Sequence, residues 1–181
     1  MNVTSFNMDV TNAKLVVAST EMGVAAYLYE ADMEDDECCR EAKSSEAIAF
    51  ADLICTAMDR IEDGIEEAGK SDEAVIAVDF SDDEMLCVLA GIRCTFEMFI
   101  SASPKDILSI LGTMSGSVRP IMVNTKDLNR RRLARKTHAL LDFLECHCPA
   151  SVLETWIDNR KPAAKRILEE VTRDSKKRKR K

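Results

Sequence analysis

Apolar residues recur along the chain in two rhythms. Ala47, Ala51, Ile54, Met58, Ile61, Ile65 and Ala68 follow one another at alternating steps of four and three. That spacing sets them all on one side of an α-helix, so the pattern predicts a long helix opening at Ser45 and stopping near Gly69. Asp52, Asp59, Glu62, Asp63, Glu66 and Glu67 fall on its other faces. The helix therefore has a packing seam and an acidic back. The seam serves either the core of the domain, which is the expectation, or a dimer with a second copy of the chain; the alanines at both ends allow close approach in either case.

The second rhythm has a period of two. "EAVIAVDF", residues 73–80, alternates apolar and polar positions and reads as a short strand. Ser81 and Glu84 follow with the spacing of a capping box, and Asp82 and Asp83 suit the positive end of a helix dipole. The predicted helix runs through "MLCVLAGIRCTFEMFISA" and is apolar on nearly every side, as a buried helix is. Ser103 and Pro104 supply the N-cap and first position of a further short helix, "SPKDILSILGTM". Residues 115–123, "SGSVRPIMV", read as a connection.

Residues 125–148 form an amphipathic pattern, with Leu133, Thr137, Leu140, Leu144 and His147 on one stripe, widened by Leu141 and Cys148. Ser151 and Glu154 resemble a second capping box ahead of a short helix that takes Trp156 into the core. Pro162 breaks the pattern and restarts it, with Ile167, Leu168 and Val171 on one side. In the first thirty residues, "KLVVAS" and "GVAAYLYEAD" read either as two short strands of a meander or as one apolar helix, and Gly23, which interrupts the apolar run, favours the strands. From Asp174 onward no apolar residue is present to anchor the chain. The sum is a mainly α (α+β) fold: a compact helical domain with a short N-terminal and central β element and a disordered basic C-terminal tail. Its regions are an acidic, mixed helix and strand portion (1–114), a basic helical portion packed on it (115–173) and the tail (174–181).

Composition narrows the class. A chain of 181 residues suits one domain, and 46% apolar residues with only 5% aromatics imply a core of aliphatics, Met and Ala. The most apolar run, "MLCVLAGI", is far short of the roughly 20 residues of a membrane span. The N-terminus has neither a basic n-region nor an apolar h-region, so an intracellular protein is expected. The Asn2-Val3-Thr4 sequon is then idle and the seven cysteines are reduced.

No stretch matches a cofactor motif, and no cofactor is expected. "DMEDDE", Asp32 to Glu37, lacks the glycine and the final glutamate of a calcium loop and reads as solvated charge. In "ECHCP", Cys146, His147 and Cys148 sit together, with Cys38 and Cys39 as conceivable distant partners. Their spacing is wrong for a zinc knuckle or ribbon, and buried thiols are the better reading.

Charge is where the sequence is most informative. Residues 1–100 carry 23 acidic and 6 basic side chains, net −17, and residues 101–181 carry 9 acidic and 19 basic, net +10. Arg130, Arg131, Arg132, Arg135 and Lys136 crowd the first half of the amphipathic helix. There they oppose the helix dipole, and the pairs Arg131/Arg135 and Arg132/Lys136 repel at i,i+4, by ~0.2–0.5 kcal/mol each. An anion bound in the working state explains why such a helix is kept. It comes either from the acidic back of the 45–68 helix or from outside, as nucleic-acid phosphate gripped by arginine forks.

The closing run Lys176, Lys177, Arg178, Lys179, Arg180 and Lys181 is a second electrostatic element. Such runs read as nuclear localisation signals, if the host cell has a nucleus, or as nucleic-acid patches. The expected function is therefore a non-enzymatic binding protein that contacts nucleic-acid phosphates, without sequence preference, through the basic helix and tail. An acidic adaptor, whose 1–100 half covers a basic protein surface, is the alternative. A Mg²⁺-dependent nucleotide hydrolase using Asp59, Glu62, Asp63 and Glu66 is the remote one, since helical carboxylates so spaced can hold Mg²⁺.

Overall fold

A strand at Val3–Asp9 runs directly into a helix. The computed structural model describes residues 3–32, 37–113 and 130–156. Its elements are β1 (Val3–Asp9), α1 (Val10–Asp32), α2 (Glu37–Ser71), β2 (Val75–Ser81), α3 (Asp82–Ser101), α4 (Pro104–Thr113) and α5 (Arg130–His147). A further short helix, α6, covers residues 150–156. The protein is mostly helical with one small antiparallel sheet. Contacts divide the chain into two units, Met1–His147 and Cys148–Lys181.

Residues 10–32 are one continuous helix, which corrects the expected meander of "KLVVAS" and "GVAAYLYEAD". Asp9 makes the start: its carboxylate accepts the Asn12 amide at 2.9 Å and the Asn12 side-chain amide at 2.6 Å. Ala13, Val16, Val17, Met22 and Ala26 of α1 are buried. Gly23 does not break the helix; it lets α3 in. A Cβ on Gly23 would stand 2.1 Å from the Gly91 carbonyl oxygen, and one on Gly91 would stand 3.2 Å from the Thr20 backbone. Thr95 fastens the crossing by donating its hydroxyl to the Ser19 carbonyl at 2.6 Å.

The strand preceding α1 pairs with β2 in an unbroken antiparallel register from Val3↔Ser81 to Asp9↔Val75. Alternation then sorts the faces. Met8, Ile76, Val78 and Phe80 are buried, while Val3, Ser5, Asn7, Val75, Ala77 and Asp79 are exposed.

α2 starts at Glu37, eight residues before the expected opening, so Ser45 lies inside the helix. It also ends later. Asp72 takes the left-handed conformation (φ 56°), and the Glu73 amide bonds back to the Ala68 carbonyl at 3.0 Å. These are the features of a Schellman stop, supplied by an aspartate rather than by Gly69. Along the seam Ile54, Ile61 and Ala68 are buried, Ala51, Met58 and Ile65 half-buried, and Ala57 joins them. The Ala47 side chain lies outside the described residues.

The capping box at the start of α3 forms as its residues foretell. The Ser81 amide donates to Glu84 Oε2 at 2.7 Å and the Glu84 amide to Ser81 Oγ at 3.3 Å. Arg60 of α2 completes it, reaching Glu84 at 3.0 Å and the Asp79 carbonyl at 2.8 Å. Partial burial pushes the Glu84 carboxyl upward, but the Arg60 guanidinium and the Ser81 amide and hydroxyl outweigh it and hold the group below the usual range. A carboxylate held low contributes stability above its unfolded value, about 4.3, and loses it as pH falls through the folded one. Glu84→Gln is therefore expected to lower the melting temperature at pH 7, with the gap from the parent closing in acid below about pH 4; melts across pH check this.

In α3 only Asp83, Ile100 and Ser101 are exposed, in accord with its apolar sequence. α4 is capped at Ser103, whose hydroxyl accepts the Asp106 amide at 3.2 Å, and Tyr29 of α1 donates to Asp106 at 3.1 Å. In the second unit the Pro149 carbonyl accepts the Leu153 amide at 3.0 Å. α6 thus begins ahead of Ser151, which sits in the first turn and not at the cap; Val152 and Trp156 are its buried side chains. The connection at 115–123 and the restart at Pro162 lie outside the described residues.

Candidate anion-binding face

α5 is fixed to the rest of its unit by a stripe of buried side chains, Thr137, Leu140, Leu141 and Leu144, facing mainly α3. Thr137 satisfies its hydroxyl within the helix, donating to the Leu133 and Ala134 carbonyls at 3.1 Å. The apolar half of the pattern read from the sequence is thus the packed half. Leu133 and His147, at its two ends, are half-buried.

The cations divide into two kinds. Arg130 turns inward and donates from Nε to the Phe99 carbonyl at 3.1 Å and from Nη2 to the Ile100 carbonyl at 3.2 Å. It neutralises carbonyls left open at the end of α3, where a positive charge also complements the dipole. Arg131, Arg132, Arg135 and Lys136 are exposed. Among the described residues the ion pairs include Arg60–Glu84, Lys70–Glu66 and Arg93–Glu97, and the His138 ring lies against the Asp142 carboxylate. None joins Arg131, Arg135 or Lys136 to a carboxylate, so the acidic back of α2 does not neutralise them there. Lys176, Lys177, Arg178, Lys179, Arg180 and Lys181 lie outside the described residues.

The far half of α5 carries a feature that composition concealed. His147 stacks on Phe6 of β1 with centroids 4.7 Å apart and lies 4.4 Å from Phe143, while Phe6 also touches Phe80. The His147 Nδ1 is 2.7 Å from the Phe143 carbonyl. His138, nearer the cations, meets the edge of Phe96 and pairs with Asp142 at 2.8 Å. The Phe143–His147 spacing of four was the one local sign of this cluster.

The remaining candidates do not assemble into a site. Asp59, Glu62, Asp63 and Glu66 are exposed along α2, with Glu66 held by Lys70 at 2.6 Å. Among the described residues no three His, Cys, Asp or Glu side chains converge as metal ligands would. In the "ECHCP" stretch His147 is taken up by the aromatic stack; the side chains of Cys38 and Cys39 lie outside the described residues. Burial, with Asp83 and Glu84 nearby, pushes the Cys87 thiol up to about 11, which leaves it protonated and unreactive at neutral pH. No described helix is long and apolar enough to cross a membrane.

No family model, curated protein or solved structure matches the chain.

Proposed function

We propose that this is a non-enzymatic binding protein that holds nucleic acid by its phosphates. The contacts come from Arg131, Arg132, Arg135 and Lys136 on α5, reinforced by the run Lys176–Lys181. The carrying observation is that Arg131, Arg135 and Lys136 are exposed at the dipole-opposed start of a helix, with no carboxylate paired to them among the described residues. An external polyanion relieves both the mutual repulsion and the conflict with the dipole, and arginine forks fit phosphate oxygens. Arg130, one of the five cations of the sequence cluster, acts instead as the clasp that orients the face.

Phosphate contacts alone carry no base information, so binding is weakly sequence-specific. In a cell with a nucleus the terminal run also serves as an import signal. The competing reading assigns the contact to the exposed carboxylates Asp52, Asp59, Glu62, Asp63, Glu66 and Glu67 and to a basic protein partner. Under that reading, loss of the cations changes nothing.

Deletion of residues 176–181 separates the two. The expected result, by fluorescence anisotropy with labelled duplexes and single strands, is weaker binding. The slope of log K against log salt should fall by up to about 5, if each of the six lost cations had neutralised one phosphate. Unchanged binding would remove the tail from the interface.

A further inference from the structure

The two strands are not equivalent at their outer edges. The Val10 amide donates to the Ala74 carbonyl, and the register continues through Met8↔Ile76, Phe6↔Val78 and Thr4↔Phe80. Antiparallel pairs alternate between bonded and non-bonded, so Thr4, Phe6 and Met8 turn their backbone groups toward β2. Val3, Ser5, Asn7 and Asp9 turn theirs to the other side. On β2 the same parity sends the groups of Asp79 and Ser81 outward, and there Arg60 takes the Asp79 carbonyl and Glu84 takes the Ser81 amide.

Among the described residues β1 has no such cover: nothing pairs with the outward backbone groups of Val3, Ser5 or Asn7. The strand Val3–Asp9 also contains no proline, lysine or arginine, the residues that ordinarily keep an edge from pairing.

We propose that β1 pairs antiparallel with β1 of a second copy, joining the two ribbons into a four-stranded sheet about a two-fold axis at Phe6. In this register Val3 lies opposite Asp9 of the partner subunit and Ser5 opposite Asn7 of the partner subunit. All four outward-facing residues then find bonded partners. The charges also agree: Asp9 is the single ionised side chain of β1, and it meets Val3 of the partner subunit rather than a second carboxylate. Phe6, half-buried and in contact with Phe80, Phe143 and His147, comes opposite Phe6 of the partner subunit in a close non-bonded pair, where aromatic side chains interact across strands. Two strands alone are a marginal sheet, and four are not.

The test is sedimentation velocity across a concentration series without nucleic acid, which keeps it independent of the phosphate-binding reading. Two variants accompany the parent. Asn7→Pro removes one outward amide and leaves the β1–β2 bonds untouched; Ser5→Lys with Asn7→Lys sets lysines opposite lysines. The expected result is a concentration-dependent dimer for the parent, and monomers with unchanged circular dichroism for both variants. A parent that stays monomeric at its highest soluble concentration overturns the proposal and leaves the edge for a strand of another protein. A dimer that survives in both variants also overturns it, by placing the interface elsewhere.

Discussion

Gly23→Ala is expected to destabilise the protein strongly, while Gly69→Ala leaves it as stable as the parent or more so. Both glycines lie in helices, and propensity alone favours alanine at either by about 1 kcal/mol. The surroundings decide the sign. At Gly69 an added methyl meets nothing within 4 Å. At Gly23 it would stand 2.1 Å from the Gly91 oxygen and 2.7 Å from the Gly91 backbone carbons, so a side-chain rotation cannot relieve it and α1 must move off α3. Overpacking of this kind costs ~1–3 kcal/mol when a core can adjust, and more when the obstacle is backbone. The crossing holds the buried centre of the fold, including Met22, Leu89 and Ile92, and the Thr95 bond to Ser19. Thermal or urea melts of the two variants check this; equal effects would mean that α1 and α3 do not cross at Gly23 and Gly91.

Replacing Arg131, Arg132 and Arg135 together by Ala is expected to weaken binding strongly. Arg131 and Arg135 are exposed, so little folding energy depends on them, and the Arg131/Arg135 repulsion disappears with them. Stability should therefore hold or rise slightly. Binding should not: each lost phosphate contact takes about 0.9 from the slope of log K against log salt, so three take about 2.7. Arg130→Ala is the informative contrast. It opens the Phe99 and Ile100 carbonyls at the end of α3 and should lower the melting temperature, because its charge works inside the molecule. Loss of binding in the triple variant with an unchanged melt locates the interface on α5.

What could be read from the residues was what is decided within a turn or two of chain. The capping box at Ser81, the N-cap at Ser103, the buried seam of α2 and the apolar stripe of α5 are all decided by residues within a turn or two of one another. α1 was misread because Gly23 looks like punctuation when seen alone. Its meaning comes from Gly91, which no local pattern joins to it. Gly69 and Ser45 failed for a related reason: a helix accepts Gly or Ser in its interior when packing outweighs propensity, and Asp72 could provide the left-handed residue. At the candidate face the cluster of cations was plain in the sequence. That Arg130 would leave it for the end of α3 was not, since its partners lie some thirty residues back.

Titration of labelled DNA and RNA with the intact protein at several salt concentrations measures the phosphate contacts most directly. The expected result is a straight line of log K against log salt, with a slope of about −0.9 for each phosphate neutralised on duplex DNA and about −0.7 on single strands, and little difference between sequences. No binding at the lowest salt, or binding that salt does not weaken, would contradict a protein whose cations hold nucleic-acid phosphate.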